Sequence, residues 1–176
     1  MFLYTPRLIL RRAVPDDLEA IHAVMSNARA TRWWSTPPHA DLKQTSAWLN
    51  GMIASPPELS EDFVVEKNGR VIGKAGLYRL PDVGYILHPD HWGQGLGKEA
   101  VGAVIDHVFQ TRALDALTAD VDPENVASIR LLEGRGFVRT GFAEKTWEIA
   151  GEWKDSVYYG LSRSHWAERR DRHAKT

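Results

Sequence analysis

Cysteine is absent from all 176 residues, which excludes disulfides, thiolate metal sites and a cysteine nucleophile. No stretch approaches the roughly 20 apolar residues of a membrane span. The opening MFLYTPRLILRR also lacks the apolar core and small-residue cleavage site of a secretory leader. An excess of one charge is missing too, with 22 Lys and Arg against 23 Asp and Glu. No general field for nucleic acid or membrane is therefore expected, and a cytoplasmic protein is. The length fits one domain, residues 1–176, large enough to bury a core. Its basic end, RSHWAERRDRHAKT, reads as a solvated tail over roughly the last ten residues.

What is present is a regular alternation of patterns. RLILRRA places Leu8 and Leu10 on one face of a strand and Arg7, Ile9 and Arg11 on the other. VPDDLEAIHAVM has Pro15 and two acids at a helix start, then Leu18, Ile21 and Met25 at helical spacing. A loop rich in aromatics and prolines, ARATRWWSTPPHA, leads into a second helix, DLKQTSAWLNGMI. Asn68-Gly69 between apolar runs predicts a hairpin. PDVGYILHP is the next strand, ALTADVDP follows a long helix, ENVASIRLLEGRGF is another helix, and Ala150-Gly151 joins a final pair of strands. These patterns predict an α+β layer structure around one mixed sheet.

The most informative stretch is HPDHWGQGLGKEAVGAVIDHVF, residues 88–109, where Gly93, Gly95 and Gly97 precede a helix. A helix N-terminus presents unpaired N–H groups and the positive end of the helix dipole, and so suits an anion. Glycines let the backbone close on that anion and adopt positive φ. Lys98 in the first turn is unfavourable to the dipole but sensible beside a phosphate. A P-loop is excluded, because Gly97-Lys98 is followed by Glu99. A dinucleotide fingerprint does match at Gly95, Gly97 and Ala100, with Asp115 or Asp120 downstream. Its context is wrong, since an antiparallel run precedes the turn and no series of parallel βαβ units follows.

The segment Trp92-Gly93-Gln94-Gly95-Leu96-Gly97 resembles the acetyl-CoA motif of the GNAT N-acetyltransferases, [QR]-x-x-G-x-[GA], at both glycine positions. Trp92 stands where Gln or Arg is usual. PDHWGQGLGKEA, TPRLILRRAVPDD, DVGYILHP, ENVASIRLLEGRGF and a closing DSVYYGLSR together resemble the RimJ/RimL-like branch, the ribosomal-protein N-terminal acetyltransferases. The resemblance spans nearly the whole chain. It implies a GNAT fold: a mostly antiparallel mixed sheet of about seven strands with flanking helices, splayed between the fourth and fifth strands.

The resemblance also implies site residues. Backbone amides of Gln94, Gly95, Leu96, Gly97 and Lys98 would bind the coenzyme A pyrophosphate, and Ile86, Leu87 and His88 would pair with the peptide-like pantetheine arm. Asn125 resembles a side-chain contact to CoA, although an N-cap role would suffice for it. Ser128, one turn later, resembles the general acid for the departing thiolate, or is simply a small helix residue. Asp82 stands where the branch often has an acid able to take the amine proton, or is a turn residue after Pro81; Glu144 and Glu148 are rival acids, and no fixed base need exist. Trp33 and Trp34 would shape the acceptor pocket or pack on the core. Tyr78, Tyr85, Tyr158 and Tyr159 read as core or sheet-face residues, with Tyr158 able to approach the thiol. His88, Asp90 and His91 lie close in sequence but lack a further ligand, so no metal is expected.

The resemblance implies acetyl transfer from acetyl-CoA to a primary amine, of a protein N-terminus or a small molecule, by direct attack in a ternary complex. Monomer and homodimer are both compatible with it. Two other classes remain open at this point: a non-catalytic acyl-CoA-binding or regulatory module, and a dinucleotide-dependent oxidoreductase using Gly95, Gly97 and Ala100.

Overall fold

The computed structural model describes residues 1–174. Its strands are β1 (Phe2–Tyr4), β2 (Ile9–Arg11), β3 (Glu61–Lys67), β4 (Arg70–Arg79), β5 (Asp82–Leu87), β6 (Ala116–Val121), β7 (Val138–Ile149) and β8 (Glu152–Ser162). Its helices are α1 (Leu18–Met25), α2 (Leu42–Ala54), α3 (Leu96–Thr111), α4 (Val126–Gly134) and α5 (Arg163–Ala174). The strands form one eight-stranded sheet in the order β1-β2-β3-β4-β5-β6-β8-β7. The eighth strand is β1, hidden in the opening MFLYT: only Phe2 to Tyr4 pair with β2, across a turn closed by Thr5 N–H donating to Leu8 O.

All neighbouring strands pair antiparallel except β5 and β6. That one parallel step does not make a series of βαβ units, so the sheet is not the doubly wound type of a dinucleotide-binding domain. The step is also splayed. β5 and β6 share a single register pair, Asp82 with Thr118, and then diverge.

Two apolar layers cover the sheet. Phe63 and Val65 of β3 face a cluster with Leu96, Val101, Val104 and Val108 of α3 and Leu132 of α4, while Val64 joins Ile86, Ile21, Val24, Met25 and Leu49 on the α1–α2 side. This alternation follows from side chains pointing to opposite faces every residue. Each such side chain stabilises by about 1.5–3 kcal/mol when fully buried. The two turns flagged in the sequence have the required backbone: Asn68 and Gly69 at φ 51° and 76°, Ala150 and Gly151 at 52° and 83°. The acids before α1 serve a different end from dipole compensation alone. Asp17 is buried, accepts from Val14 N–H at 2.8 Å, and pairs with Arg11 at 2.7 Å.

The C-terminal segment departs from its sequence reading. Arg163 to Ala174 form α5, and the last two residues lie outside the described residues. The basic composition misleads because two side chains near its start are anchors. Arg163 donates to the carbonyls of Leu114 and Phe109 at 2.9 and 2.5 Å. Trp166 packs at a tilt against Phe109 with ring centroids 5.0 Å apart and donates its indole N–H to Asp106 at 2.7 Å.

Candidate active site

The glycine turn enters α3 through two left-handed residues, Gly93 at φ 71° and Gly95 at φ 74°. Gly95 is the N-cap and has no side chain to offer, so the first-turn N–H groups of this 16-residue helix have no side-chain cap. The turn is instead held from outside. Arg7 Nη1 donates to Gln94 O at 2.8 Å, and Lys67 Nζ donates to Gln94 Oε1 at 3.1 Å. Gln94 Nε2 donates to Asp90 O at 3.1 Å. Two cations beside bare, dipole-polarised amides fit a diphosphate. Gly97 serves another purpose: a Cβ there would stand 3.3 Å from Leu131 Cδ1, so its absence lets α3 approach α4. The Lys98 carbonyl accepts from Arg135.

Trp92, the departure from the usual motif, closes the end of β5 by donating its indole N–H to Leu87 O at 2.9 Å. The adjacent His88 N–H donates to Ile72 O in the strand before, at 2.8 Å. Strand alternation then turns the Leu87 N–H toward the β6 side, into the splay. Ile86 and Leu87 side chains are buried. His88 lies near Asp90, at 3.5 Å, with its ring 6.4 Å from that of His91. No group of three or more His, Cys, Asp or Glu converges to hold a metal among the described residues.

Both walls of the splay continue into a cavity of about 570 Å³, lined by Val83 to Tyr85 of β5, Ala119 to Val121 of β6, and Asn125 and Ser128 of α4. Trp33 and Trp34 line it from the loop after α1, with Trp48 of α2, Tyr78 of β4 and Trp147 of β7. Asn125 is the N-cap of α4, its Oδ1 accepting from Ser128 N–H at 3.1 Å. Ser128 Oγ meets the Tyr85 hydroxyl at 2.6 Å. Burial pushes the Tyr85 phenol up to about 12.

The carboxylates fall differently from the sequence reading. Asp82 is not part of the cavity lining. Arg79 donates to its Oδ2 at 2.9 and 2.6 Å, and Thr118 Oγ1 donates to its Oδ1, so the group clamps the root of the splay. Glu144 and Glu148 are exposed on β7 and also outside the lining. The acids that do line the cavity are Asp62, Asp120, Asp122 and Asp155. Asp120 accepts from the Trp147 indole at 2.9 Å, and Asp155 from Lys145 N–H at 2.9 Å. Asp62 pairs with Lys74 at 2.7 Å beneath the rings of Trp34 and Tyr78, which lie 5.7 and 5.9 Å from the ammonium. Alternation along β3 and β4 could have suggested this pair, since a charge at a core-facing position calls for a partner. Tyr85 shares its strand pattern with ordinary sheet tyrosines and carries no such signal. Tyr158 and Tyr159 lie outside the lining, and Tyr159 donates to Glu133 at 3.1 Å.

Comparison with known proteins agrees with this geometry. Residues 7–138 match the acetyltransferase (GNAT) domain. The chain is 28% identical to the uncharacterized N-acetyltransferase p20 of Bacillus licheniformis, over 94% of this chain and 98% of that one. The fold is shared with the Salmonella typhimurium acetyl transferase that modifies the N-terminal serine of ribosomal protein L7/L12, at TM-score 0.82 and 17% identity, covering 92% of this chain and 99% of that one. It is shared also with the Vibrio cholerae spermidine N-acetyltransferase in complex with CoA and spermine, at TM-score 0.79 and 24% identity, covering 93% of this chain and 99% of that one. Glycine turn, splayed sheet and family match converge: the chain belongs to the GNAT family and is an N-acetyltransferase.

Proposed function

We propose that this protein transfers the acetyl group of acetyl-CoA to a primary amine held in the aromatic cavity, by direct attack within a ternary complex. The observation that carries the reading is that the two walls of the splay, β5 and β6, are also walls of the cavity. A thioester threaded between the strands would meet an acceptor there.

Acetyl-CoA supplies the activated acetyl group. Within this reading the amides of Gln94, Gly95, Leu96, Gly97 and Lys98 hold its pyrophosphate. Ile86, Leu87 and His88 offer β5 as a sheet edge to the pantetheine arm. The Leu87 N–H, turned into the splay, is the donor for the thioester oxygen, where a fixed dipole helps most as charge develops. Asn125 sets the start of α4 and so the place of Ser128, which gives a proton to the leaving sulfur.

The acceptor is an amine of a peptide N-terminus or a small molecule. Trp48 and Trp147 offer ring faces to a cation, those of Trp33, Trp34 and Tyr78 being taken by Arg32 and Lys74, and Asp120, Asp122 and Asp155 add negative charge at a wall that Lys154 shares. These acids, with water, are the acceptors for the proton that the ammonium must lose before attack; Asp82 is not among them.

Isothermal titration with acetyl-CoA, CoA and NADH, for the natural chain and Gly95→Glu, tests the cofactor reading. Binding of acetyl-CoA and CoA by the natural chain alone is expected; binding of NADH in their place would overturn it. An acceptor screen with spermidine and a seryl peptide follows, and absence of any turnover despite tight CoA binding would favour a non-catalytic acyl-CoA-binding module.

A further inference from the structure

Tyr85 lies in the cavity wall directly across from Ser128, with its hydroxyl 2.6 Å from Ser128 Oγ and 3.4 Å from the Ser128 carbonyl. Two hydroxyls so close share one proton between them, and the direction of that bond decides what the second proton can do. Either oxygen can donate at this distance; a phenol is the stronger acid, which favours Tyr85 as donor and Ser128 Oγ as acceptor. In that arrangement the serine proton is excluded from the line to Tyr85. Tyr85 is the single partner of Ser128 Oγ among the described residues, so the usual alternative for a helical serine, a bond back to its own helix, is not taken.

We infer that Tyr85 is a positioning residue for acetyl transfer: by donating to Ser128 Oγ it leaves the serine O–H free to point into the cavity, toward the departing sulfur. The inference rests on the acetyl-CoA reading above and adds a residue to it. As the acceptor nitrogen bonds to the acetyl carbon, the carbon–sulfur bond breaks with its electron pair passing to sulfur. Ser128 gives its proton to that sulfur, and the Tyr85 proton follows along the hydrogen bond to Ser128 Oγ. The proton lost by the acceptor nitrogen, carried by cavity water, restores the phenol. No proton is created or lost, and the phenol ends protonated, as its raised pKa favours.

The chain offers an unusually clean test, because it contains no cysteine. With protein in excess over CoA, alkylation by iodoacetamide reads the ionisation of one bound thiol. A hydroxyl aimed at the sulfur stabilises its thiolate, so the bound thiol should titrate about one pH unit below that of free CoA measured in the same buffer. Ser128→Ala should return it to the free value. Tyr85→Phe should do most of the same while leaving CoA affinity and thermal stability within about twofold and a few degrees of the parent. The double variant should show nothing beyond Ser128→Ala, because the two act in series.

Additive shifts in the double variant, or an unchanged thiol in Tyr85→Phe, would overturn the inference while leaving the acetyl-CoA reading intact. A natural chain that holds CoA with an unshifted thiol would do the same. Failure to bind CoA at all would instead bring down the reading on which the inference rests. Where an acceptor is found, single-turnover rates should fall about tenfold in Tyr85→Phe with the acceptor KM nearly constant.

Discussion

Arg7 and Glu99 stand 92 positions apart and meet at 2.6 Å, while a second nitrogen of the same guanidinium donates to Gln94 O. The first strand region is thus bolted to the glycine turn. Arg7→Met should weaken acetyl-CoA binding several-fold by loosening that turn. Its cost in stability should stay below about 1 kcal/mol, since the arginine is half exposed and exposed pairs contribute little. Calorimetric titration beside thermal unfolding separates the two effects; equal loss in both would contradict the assignment. Glu99 adds a pH signature. Burial raises its pKa, but hydrogen bonds from Thr5 and Arg7 together leave it lowered. A carboxylate lowered in the folded state stabilises above its unfolded pKa and loses that contribution as pH falls through the folded one. The Arg7→Met chain should therefore lose less stability than its parent below about pH 4.5.

Gly95 and Gly51 should respond oppositely to alanine. Gly95 sits at φ 74°, where a Cβ costs about 1–2 kcal/mol. Gly51 lies inside α2, a methyl added there would meet nothing within 4 Å, and alanine should stabilise by about 0.5–1 kcal/mol. Urea midpoints read both. Only Gly95→Ala should also impair CoA binding.

The α1–α2 contact contains an acid-sensitive joint. His22 Nδ1 and His39 Nδ1 approach the same Thr45 hydroxyl at 2.7 and 2.9 Å. Burial first, and then the charge of His22, lower the His39 pKa. A histidine lowered in the folded state keeps its full contribution above the unfolded value of about 6.5, and loses it as pH falls toward the folded pKa, because the unfolded chain binds the extra proton. The melting temperature should drop between pH 7 and pH 5, and His39→Gln should flatten that limb. An equal drop in the variant would assign it elsewhere.

Lys74 and Asp62 form an ion pair with both side chains nearly inaccessible, 2% and 5% exposed. Removing one partner strands the other, at a cost of about 3–5 kcal/mol. Lys74→Met should therefore unfold at markedly lower denaturant, and Lys74→Met with Asp62→Leu should recover much of the loss. Since the pair lines the cavity beneath Trp34, the recovered double variant should still show altered acceptor KM. An unchanged KM would make the pair purely a core feature.

The parts legible in sequence were those written in local rules. Asn68-Gly69, Ala150-Gly151 and Gly95 each required a backbone conformation that few residues adopt, and the structure has it. The splay was legible only through resemblance, since nothing in PDVGYILHP records that its neighbour leaves after one residue pair. Asp82 was undecidable from sequence, because a strand-start acid has one appearance whether it serves chemistry or holds Arg79 and Thr118. Tyr85 was hidden for a related reason. Its hydroxyl depends on Ser128, 43 positions away, and contacts that long are properties of the assembled chain.

The splay has a consequence for the free chain. Along β5 the amides alternate between a filled side, toward β4, and the gap left by β6. Tyr85 and Leu87 N–H face that gap, while Gly84 and Ile86 are locked in the ladder. Deuterium should enter β5 in a two-residue rhythm, fast and slow by turns on a strand in the middle of the sheet. A ligand lying in the gap would silence the fast beats, so one strand carries a residue-by-residue record of whether the protein is loaded.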